Sequence, residues 1–196
     1  AGRDPYSARI YQLLTIVTDE TSDLAHAKHD EYRSYASAEG ALVFMSGWMG
    51  VDLSRYALDE PLGNVESNAI QSFVASFQSI GADGKEWTVR DIAEWGGIGG
   101  AGPRIVGSPG EVADQLQEWV DETDVDGFNL AYAITPGTFE DVVRFVVPEL
   151  QRRGVYRTQY TPGTLRHKLF GKGDRLPEEH RAQQIVREVR ESRELG

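Results

Sequence analysis

Apolar residues recur along the chain in a pattern that predicts two strand-helix units. Residues 10–17 and residues 127–132 are short, largely apolar runs, which is typical of strands buried in a parallel sheet. A helix-start signal follows each run, at Thr21 and at Thr138, and Gly40 is the expected stop of the first helix. Strands that alternate with helices indicate an α/β fold with a parallel sheet.

A third helix-start signal lies ahead of the second strand. Residues 108–111, Ser-Pro-Gly-Glu, place a hydroxyl at the N-cap, proline at the first helical position and glutamate at the third, which predicts a capping box. The apolar stripe that follows at helical spacing consists of Val112, Leu116, Trp119 and Val120. We therefore predict a helix that ends near Glu122.

The helix after the second strand carries a cluster of apolar residues that we expect to face the sheet. These residues are Val142, Val143, Phe145, Val146 and Leu150. Pro148 should bend this helix, because proline cannot donate the helical hydrogen bond, and Gly154 should end it.

The remaining segments divide the chain into a body, an insertion and a tail. We predict a body over residues 1–170, a helical insertion at about 41–106 and a charged helical tail over residues 171–196. Thr88 should begin one helix of the insertion, and residues 164–170 fit a short helix. A second helix of the insertion is indicated by the spacing of Ile70, Phe73, Val74 and Phe77.

Chain direction predicts where a ligand would bind. A helix that follows a parallel strand starts at the carboxyl edge of the sheet, where α/β proteins bind their ligands. The helix from Pro109 precedes the second strand and must start at the same edge, so residues 96–108 should lie there. From this geometry we expect pocket-lining roles for Thr18, Arg104, Asn129 and Tyr132. A further hypothesis is that the insertion is a lid over the substrate, which a deletion of residues 64–87 would test.

Charge and composition exclude several classes of protein. The 196 residues carry a formal net charge of −11 and contain no cysteine, which excludes a disulfide scaffold and a thiolate metal site. Residues 1–150 are strongly acidic, whereas residues 151–196 carry a net positive charge, and an acidic body argues against a nucleic-acid groove. Because the sequence shows neither a long apolar run nor a leader pattern, we predict a cytoplasmic protein without a membrane segment.

Three motifs suggest binding chemistry, and each has a simpler interpretation. Residues 97–102 match the glycine spacing of a dinucleotide-binding loop, but a helix-like segment precedes them where a strand is required, which favours a loop near the pocket. The helix start at Ser108, with Arg104 nearby, could bind an anion, although a simple capping box is favoured. His26 and His29 have a metal-compatible spacing but a polar context, so we predict surface histidines and no metal site.

Several stretches of the sequence resemble one family of enzymes. The similarity is to the C-terminal part of the bacterial-luciferase-like flavin monooxygenases, in the branch of nitrilotriacetate monooxygenase component A, dibenzothiophene-sulfone monooxygenase and long-chain alkane monooxygenase. The stretches that carry it are residues 1–5, 50–54, 106–121, 125–130, 146–158, Tyr160 and 164–166.

The resemblance implies both a fold and a reaction. The fold is a TIM (β/α)8 barrel, of which this chain would supply the last two strand-helix units. The reaction uses reduced FMN from a separate flavin reductase to activate O₂ and oxygenate a small organic substrate. The FMN-phosphate loop of the family would lie upstream of residue 1, and no catalytic motif is matched here.

The length of the chain leaves three hypotheses open. A barrel typically needs about 250 residues, and the only methionines are Met45 and Met49, so we expect a fragment of a longer monooxygenase. The alternatives are a non-catalytic truncated homologue that acts as a partner or structural subunit, and an unrelated small α/β binding domain. A homodimer formed through the insertion or the tail is also left open. The fragment hypothesis requires the two predicted strands to lie side by side and parallel.

Overall fold

The computed structural model describes residues 5–62, 87–100, 102–178 and 180–194. The chain divides into two units, one made of residues 9–156 and one made of residues 1–8 and 157–196. The larger unit contains three strands, β1 (Tyr11–Thr18), β2 (Arg104–Gly107) and β3 (Gly127–Ala131). Its helices are α1 (Ser22–Tyr35), α2 (Ala38–Met49), α3 (Val89–Gly96), α4 (Pro109–Thr123), α5 (Gly137–Asp141) and α6 (Val147–Arg152).

The three strands form a parallel sheet in the order β2-β1-β3. β1 and β3 are neighbours, with Tyr11 opposite Gly127 and Thr15 opposite Ala131, which confirms the predicted pairing. Asp126 fixes the start of this pair, because its backbone N–H donates to the carbonyl of Ile10 at 2.9 Å and its side chain accepts from the N–H of Ile10 at 2.8 Å.

The short strand β2 was not predicted and changes the topology. It lies within the segment expected to be an insertion, and it occupies the edge of β1 that faces away from β3. In a sequential barrel each strand pairs with the strands before and after it in the chain, whereas β3 pairs with β1 and not with β2. The structure therefore shows a small parallel sheet with helices, and three strand-helix units instead of two.

One hydrophobic core covers one face of the sheet. It joins alternate residues of β1 to β2, to the inner stripe of α4 and to the helix after β3. Its buried members are Leu14, Ile16, Ile105, Val112, Leu116, Val142 and Val146. Residues on alternate positions of a strand share a face, so this core defines the helix-covered face of β1.

A second core lies in the segment predicted to be an insertion. The capping box of Thr88 and Asp91 starts α3, as predicted. The helix α2 was not predicted, and Gly40, the expected stop of the first helix, lies within its first turn. Buried residues from α2, from α3 and from residues 53–62 between them form this core: Met45, Met49, Leu53, Leu62, Val89 and Ile92.

The helix after β3 differs from the prediction at its start and in its middle. Thr138 does not cap it; the Thr138 hydroxyl is buried and accepts from the backbone N–H groups of Ala133 and Ile134 at 3.1 and 3.2 Å. A π-helical turn over Val142–Val146 joins α5 to α6. This wider turn accommodates Pro148, which cannot donate to the carbonyl four residues earlier. As a result Val143, predicted to face the sheet, is 66% exposed.

The smaller unit contains two helices that the sequence predicts. α7 (Leu165–Phe170) begins after Thr164, whose hydroxyl accepts from the N–H of His167, and α8 (Arg181–Glu194) is the charged tail helix. The predicted stripe from Ile70 to Phe77 and residues 63–86 of the predicted lid lie outside the described residues.

Candidate functional site

The carboxyl edge of the sheet is formed by the ends of β1 and β2. Thr18, the last residue of β1, lies opposite Gly107, the last residue of β2. The Thr18 side chain is fully buried, and its hydroxyl has no hydrogen-bond partner among the described residues. Buried hydroxyls in proteins are almost always hydrogen-bonded, so this edge presents an unsatisfied polar group at one of the predicted site positions.

Lys28 of α1 joins three segments at this edge. Its ammonium nitrogen lies 2.9 Å from the carbonyl oxygen of Thr18, 2.9 Å from a carboxylate oxygen of Asp141 and 2.7 Å from a carboxylate oxygen of Asp19. Lys28 thus connects the end of β1, the turn into α1 and the helix after β3. Sequence reasoning missed Lys28, although its spacing from the buried Ala25 places it on the inner side of α1.

The ionisation of this cluster follows from its contacts. Burial alone would lower the pKa of Lys28, but hydrogen bonds to Asp19 and Asp141 outweigh burial and raise it. The hydrogen bond from Lys28, together with the backbone N–H of Glu20, lowers the pKa of Asp19. Lys28 and Asp19 are therefore a charged pair at neutral pH.

The register of the sheet separates the four predicted pocket residues. Tyr132 follows β3 at the level of Ile16, close to Thr18 along the strands, and its side chain is 55% exposed. Asn129 pairs with Leu13, which lies five residues before Thr18 in β1. At the rise of a strand, Asn129 is therefore about 16 Å from Thr18 along the strand direction. Arg104 pairs with Thr15, about 10 Å from Thr18. The structure therefore brings Thr18 and Tyr132 toward one edge and places Asn129 and Arg104 away from it.

Arg104 lies beside α1, near His29. A guanidinium nitrogen of Arg104 donates to the carbonyl of Ile98 at 2.9 Å. Burial lowers the pKa of His29, and the positive charges of Arg104 and Arg33 lower it further, whereas Asp30 acts in the opposite direction. The Nε2 atom of His29 is buried and has no hydrogen-bond partner among the described residues. His29 is thus a half-buried, neutral histidine and not the surface residue that we predicted.

The glycine-rich segment packs against the sheet. The hydroxyl of Thr15 donates to the carbonyl of Gly99 at 3.1 Å. Gly99 has φ +74°, and a β-carbon built on it would lie 2.3 Å from that hydroxyl oxygen. A β-carbon on Gly102 would lie 3.0 Å from the carbonyl oxygen of Leu13. These glycines allow close packing on β1. This packing accounts for their spacing, so the motif does not indicate a dinucleotide-binding loop.

The start of α4 already holds a carboxylate. Glu111 accepts from the backbone N–H and from the hydroxyl of Ser108, both at 2.7 Å, which is the predicted capping box. The hydrogen bonds from Ser108, with a further one from Ser22, lower the pKa of Glu111. Because Glu111 occupies this helix start and Arg104 lies elsewhere, the structure does not support the anion site considered for Ser108.

The described ranges contain neither a metal cluster nor a membrane-spanning helix. In residues 5–62, 87–100, 102–178 and 180–194 no group of three or more His, Asp or Glu side chains could hold a metal ion. No described helix is both long enough and apolar enough to span a membrane.

Several proteins with similar sequences are monooxygenases. The dimethyl-sulfide monooxygenase of Hyphomicrobium sulfonivorans is 46% identical over 185 residues, which is 94% of this chain. The long-chain alkane monooxygenase of Geobacillus thermodenitrificans is 37% identical over 180 residues. The chain is homologous to the C-terminal part of luciferase-like monooxygenases. No protein-family model matches it.

Solved structures agree with this assignment. The crystal structure of DmoA from H. sulfonivorans superimposes on 93% of the chain with a TM-score of 0.78 and 45% sequence identity. A riboflavin lyase crystallised with modified FMN and riboflavin also gives a TM-score of 0.78, at 31% identity. The chain spans only 38% of the dimethyl-sulfide monooxygenase and 36% of the long-chain alkane monooxygenase.

FMN, the cofactor that the resemblance implies, has a phosphate group that requires N–H donors or cations. Phosphates bind at helix N-termini and beside cationic side chains. Among the described residues at the carboxyl edge, the start of α4 is bonded to Glu111, and Lys28 is bonded to Asp19 and Asp141. These residues do not fit a phosphate group.

Proposed function

We propose that the sequence is the C-terminal part of a two-component monooxygenase that uses reduced FMN and O₂ to oxygenate a small organic substrate. The single observation that supports this most strongly is the 46% identity to the dimethyl-sulfide monooxygenase over 94% of the chain. Reduced flavin would supply the electrons for oxygen activation. A separate flavin reductase would be the partner, and a cytoplasmic location remains a prediction.

In this proposal the chain contributes one wall of the substrate site. Thr18 and Tyr132 are the two predicted pocket residues that the sheet register brings toward the carboxyl edge. Tyr132 packs against Phe139, with ring centroids 5.9 Å apart, and Ile134 beside them is 44% exposed. An aromatic and aliphatic surface of this kind suits a small apolar substrate. The phosphate of FMN would be held by residues outside this chain.

A chimaera tests the proposed function. Replacing the homologous part of the H. sulfonivorans enzyme with this chain should preserve oxygenation when FMN, NADH and a flavin reductase are supplied. The parent enzyme is the positive control, and the chimaera carrying Tyr132→Ala should show a raised KM for the substrate. A folded chimaera that forms no oxygenated product would contradict the proposal.

The same experiment distinguishes the second candidate function, a non-catalytic homologue that acts as a partner or structural subunit. The described residues at the carboxyl edge do not fit a phosphate group, which both candidate functions allow, so the chimaera decides between them. The hypothesis of a partner or structural subunit predicts a stable chimaera without oxygenase activity.

A further inference from the structure

The loop that follows β3 is held by one buried hydroxyl group. β3 ends at Ala131 and α5 begins at Gly137, so the loop lies at the carboxyl end of the strand. The Thr138 side chain is 3% exposed, and its hydroxyl accepts from the N–H groups of Ala133 and Ile134 at 3.1 and 3.2 Å. The N–H of Thr138 donates to the carbonyl of Ile134 at 3.2 Å. These hydrogen bonds connect the first turn of α5 to the loop.

The hydroxyl of Thr138 is used for the loop and not for the helix. A threonine at the start of a helix can cap it, and such a cap is worth about 1 kcal/mol. The start of α5 has no side-chain cap, although Thr135 and Thr138 lie on either side of it. Positions where a sequence forgoes a local stabilisation are expected at functional sites. This arrangement points to a role of the loop beyond the stability of α5.

Gly137 accommodates the side chain of Ile134. A β-carbon on Gly137 would lie 2.8 Å from Cδ1 and 3.2 Å from Cγ1 of Ile134. The Ile134 side chain therefore folds over the backbone of Gly137, and a methyl group there would displace it. The backbone of Gly137 lies outside the left-handed region, so alanine fits it without strain. Gly137 thus fixes the side chain of Ile134, whereas Thr138 fixes its backbone.

The loop and the start of α5 present exposed apolar side chains at the carboxyl end of β3. Tyr132 and Phe139 have ring centroids 5.9 Å apart and are 55% and 39% exposed. Ile134 is 44% exposed. Ligands of α/β folds bind at this end of the strands. Because hydrogen bonds hold the backbone of Ile134 in place, its side chain limits the space that a ligand has here.

We propose that Ile134 limits the size of the substrate, and that Thr138 and Gly137 position it. The substrate is a small apolar molecule, and a longer alkyl chain on it would collide with the Ile134 side chain. Thr138 and Gly137 are positioning residues, which act through Ile134 and do not contact the substrate. This inference rests on the proposed function and deepens it.

Binding of two dialkyl sulfides to the chimaera described above tests the role of Ile134. Calorimetry with oxidised FMN and no reductant gives the Kd of dimethyl sulfide and of dipropyl sulfide without turnover. Ile134→Ala should improve the binding of dipropyl sulfide relative to dimethyl sulfide by about tenfold, since it removes the limiting side chain. Gly137→Ala displaces Ile134 away from the backbone and should shift the same ratio by about tenfold in the opposite direction.

A matched set of threonine variants tests the positioning role of Thr138. Thr138→Val keeps the shape of the side chain but removes the acceptor of the N–H groups of Ala133 and Ile134. Amide exchange at both residues should become about tenfold faster, and the Kd ratio should shift toward dipropyl sulfide by about fivefold. Thr138→Ser retains the acceptor and should restore both values. Thr15→Val removes the buried hydroxyl that donates to Gly99 and should change neither value.

Each outcome supports or overturns the proposal, provided that circular dichroism shows every variant to be folded. The proposal is wrong if Ile134→Ala and Gly137→Ala leave the Kd ratio unchanged or shift it in the same direction. It is also wrong if Thr138→Ser behaves like Thr138→Val, or if the folded chimaera binds neither sulfide. A chimaera that forms oxygenated product while its variants keep the parent ratio would support the proposed function and contradict this inference alone.

Discussion

Gly99 and Thr15 are in such close contact that a β-carbon on Gly99 would lie 2.3 Å from the Thr15 hydroxyl oxygen. The two residues are 84 positions apart in the sequence, and the hydroxyl of Thr15 donates to the carbonyl of Gly99 at 3.1 Å. The glycine segment is therefore part of the packing of the sheet.

The first prediction compares two glycines with similar backbones. Gly99 and Gly100 have φ +74° and +76°, but among the described residues, chain neighbours aside, no atom lies within 4 Å of a β-carbon on Gly100. Gly100→Ala should cost only the strain of the backbone, about 1–2 kcal/mol. Gly99→Ala should cost about 1–3 kcal/mol more, because the methyl group collides with Thr15. Urea unfolding of both variants measures the difference, and equal losses would contradict the packing argument.

The second prediction concerns the charge cluster at the carboxyl edge. Lys28→Met removes the cation that pairs with the carboxylates of Asp19 and Asp141, whose side chains are each about three-quarters buried. We expect a loss of about 1–3 kcal/mol in the free energy of unfolding, less than for a fully buried pair because water reaches the cluster. Lys172→Met, at an exposed position, removes the same charge and should change stability by less than about 0.5 kcal/mol.

The same cluster has a defined pH dependence. The folded-state pKa of Asp19 lies below its ordinary value of 3.8, mainly through the hydrogen bond from Lys28. A lowered pKa stabilises the fold above pH 3.8, and this contribution is lost as the pH falls through the folded-state value. In Lys28→Met the free energy of unfolding should fall less on acidification than it does in the parent chain. If the unfolding free energy of Lys28→Met varies between pH 5 and pH 2 as that of the parent chain does, this result would argue against the Lys28–Asp19 contact.

The third prediction concerns the contact between α6 and α4. Arg153 bonds to Glu149 at 2.7 Å, to Asp114 at 2.6 Å and to the carbonyl of Gly110 at 3.1 Å. Hydrogen bonds from Arg152 and Arg153 lower the pKa of Glu149 to about 2.

This pKa determines a second acid-sensitive contribution. The stabilisation is complete above pH 4.5, the ordinary pKa of a glutamate, and is lost as the pH falls toward 2. Glu149→Gln should lower the melting temperature at pH 7 and make it less sensitive to acid. Glu118→Gln, an exposed carboxylate of α4, is the control. If both variants show the same acid profile, Glu149 does not carry this contribution.

The fourth prediction concerns His29. Burial, with the charges of Arg104 and Arg33, holds its folded-state pKa below the ordinary histidine value of 6.5. The unfolded chain therefore binds a proton at a higher pH than the folded chain does, and stability should fall as the pH drops below 6.5. His29→Leu should remove this part of the pH dependence. His26→Leu, at an exposed position one turn earlier in α1, should retain it.

The features that the sequence predicts are those encoded by local signals. The pairing of β1 with β3 follows from two short apolar runs separated by helices, and the start of α4 follows from Ser108 and Glu111. The strand β2 escaped prediction because four residues next to a glycine-rich segment show no periodicity. The helix α2 was missed because apolar residues occupy both its buried and its exposed face, as Met45 and the 41% exposed Trp48 show. No single apolar stripe therefore marks it in the sequence.

The candidate site was only partly predictable for a similar reason. Chain direction alone places Thr18 and Tyr132 near one edge. The positions of Arg104 and Asn129 depend on the register of the strands, which a single sequence does not show. Lys28 was missed because its partner Asp141 lies 113 positions away.

The central position of β1 has a consequence for synthesis on the ribosome. Both neighbours of β1 come from much later in the chain, as the 116 positions between Ile10 and Asp126 illustrate. The apolar residues Leu14, Ile16 and Val17 therefore leave the exit tunnel long before either strand that shields them has been translated. We expect the nascent chain to need a chaperone over this interval, since late, non-local strand pairing exposes aggregation-prone segments.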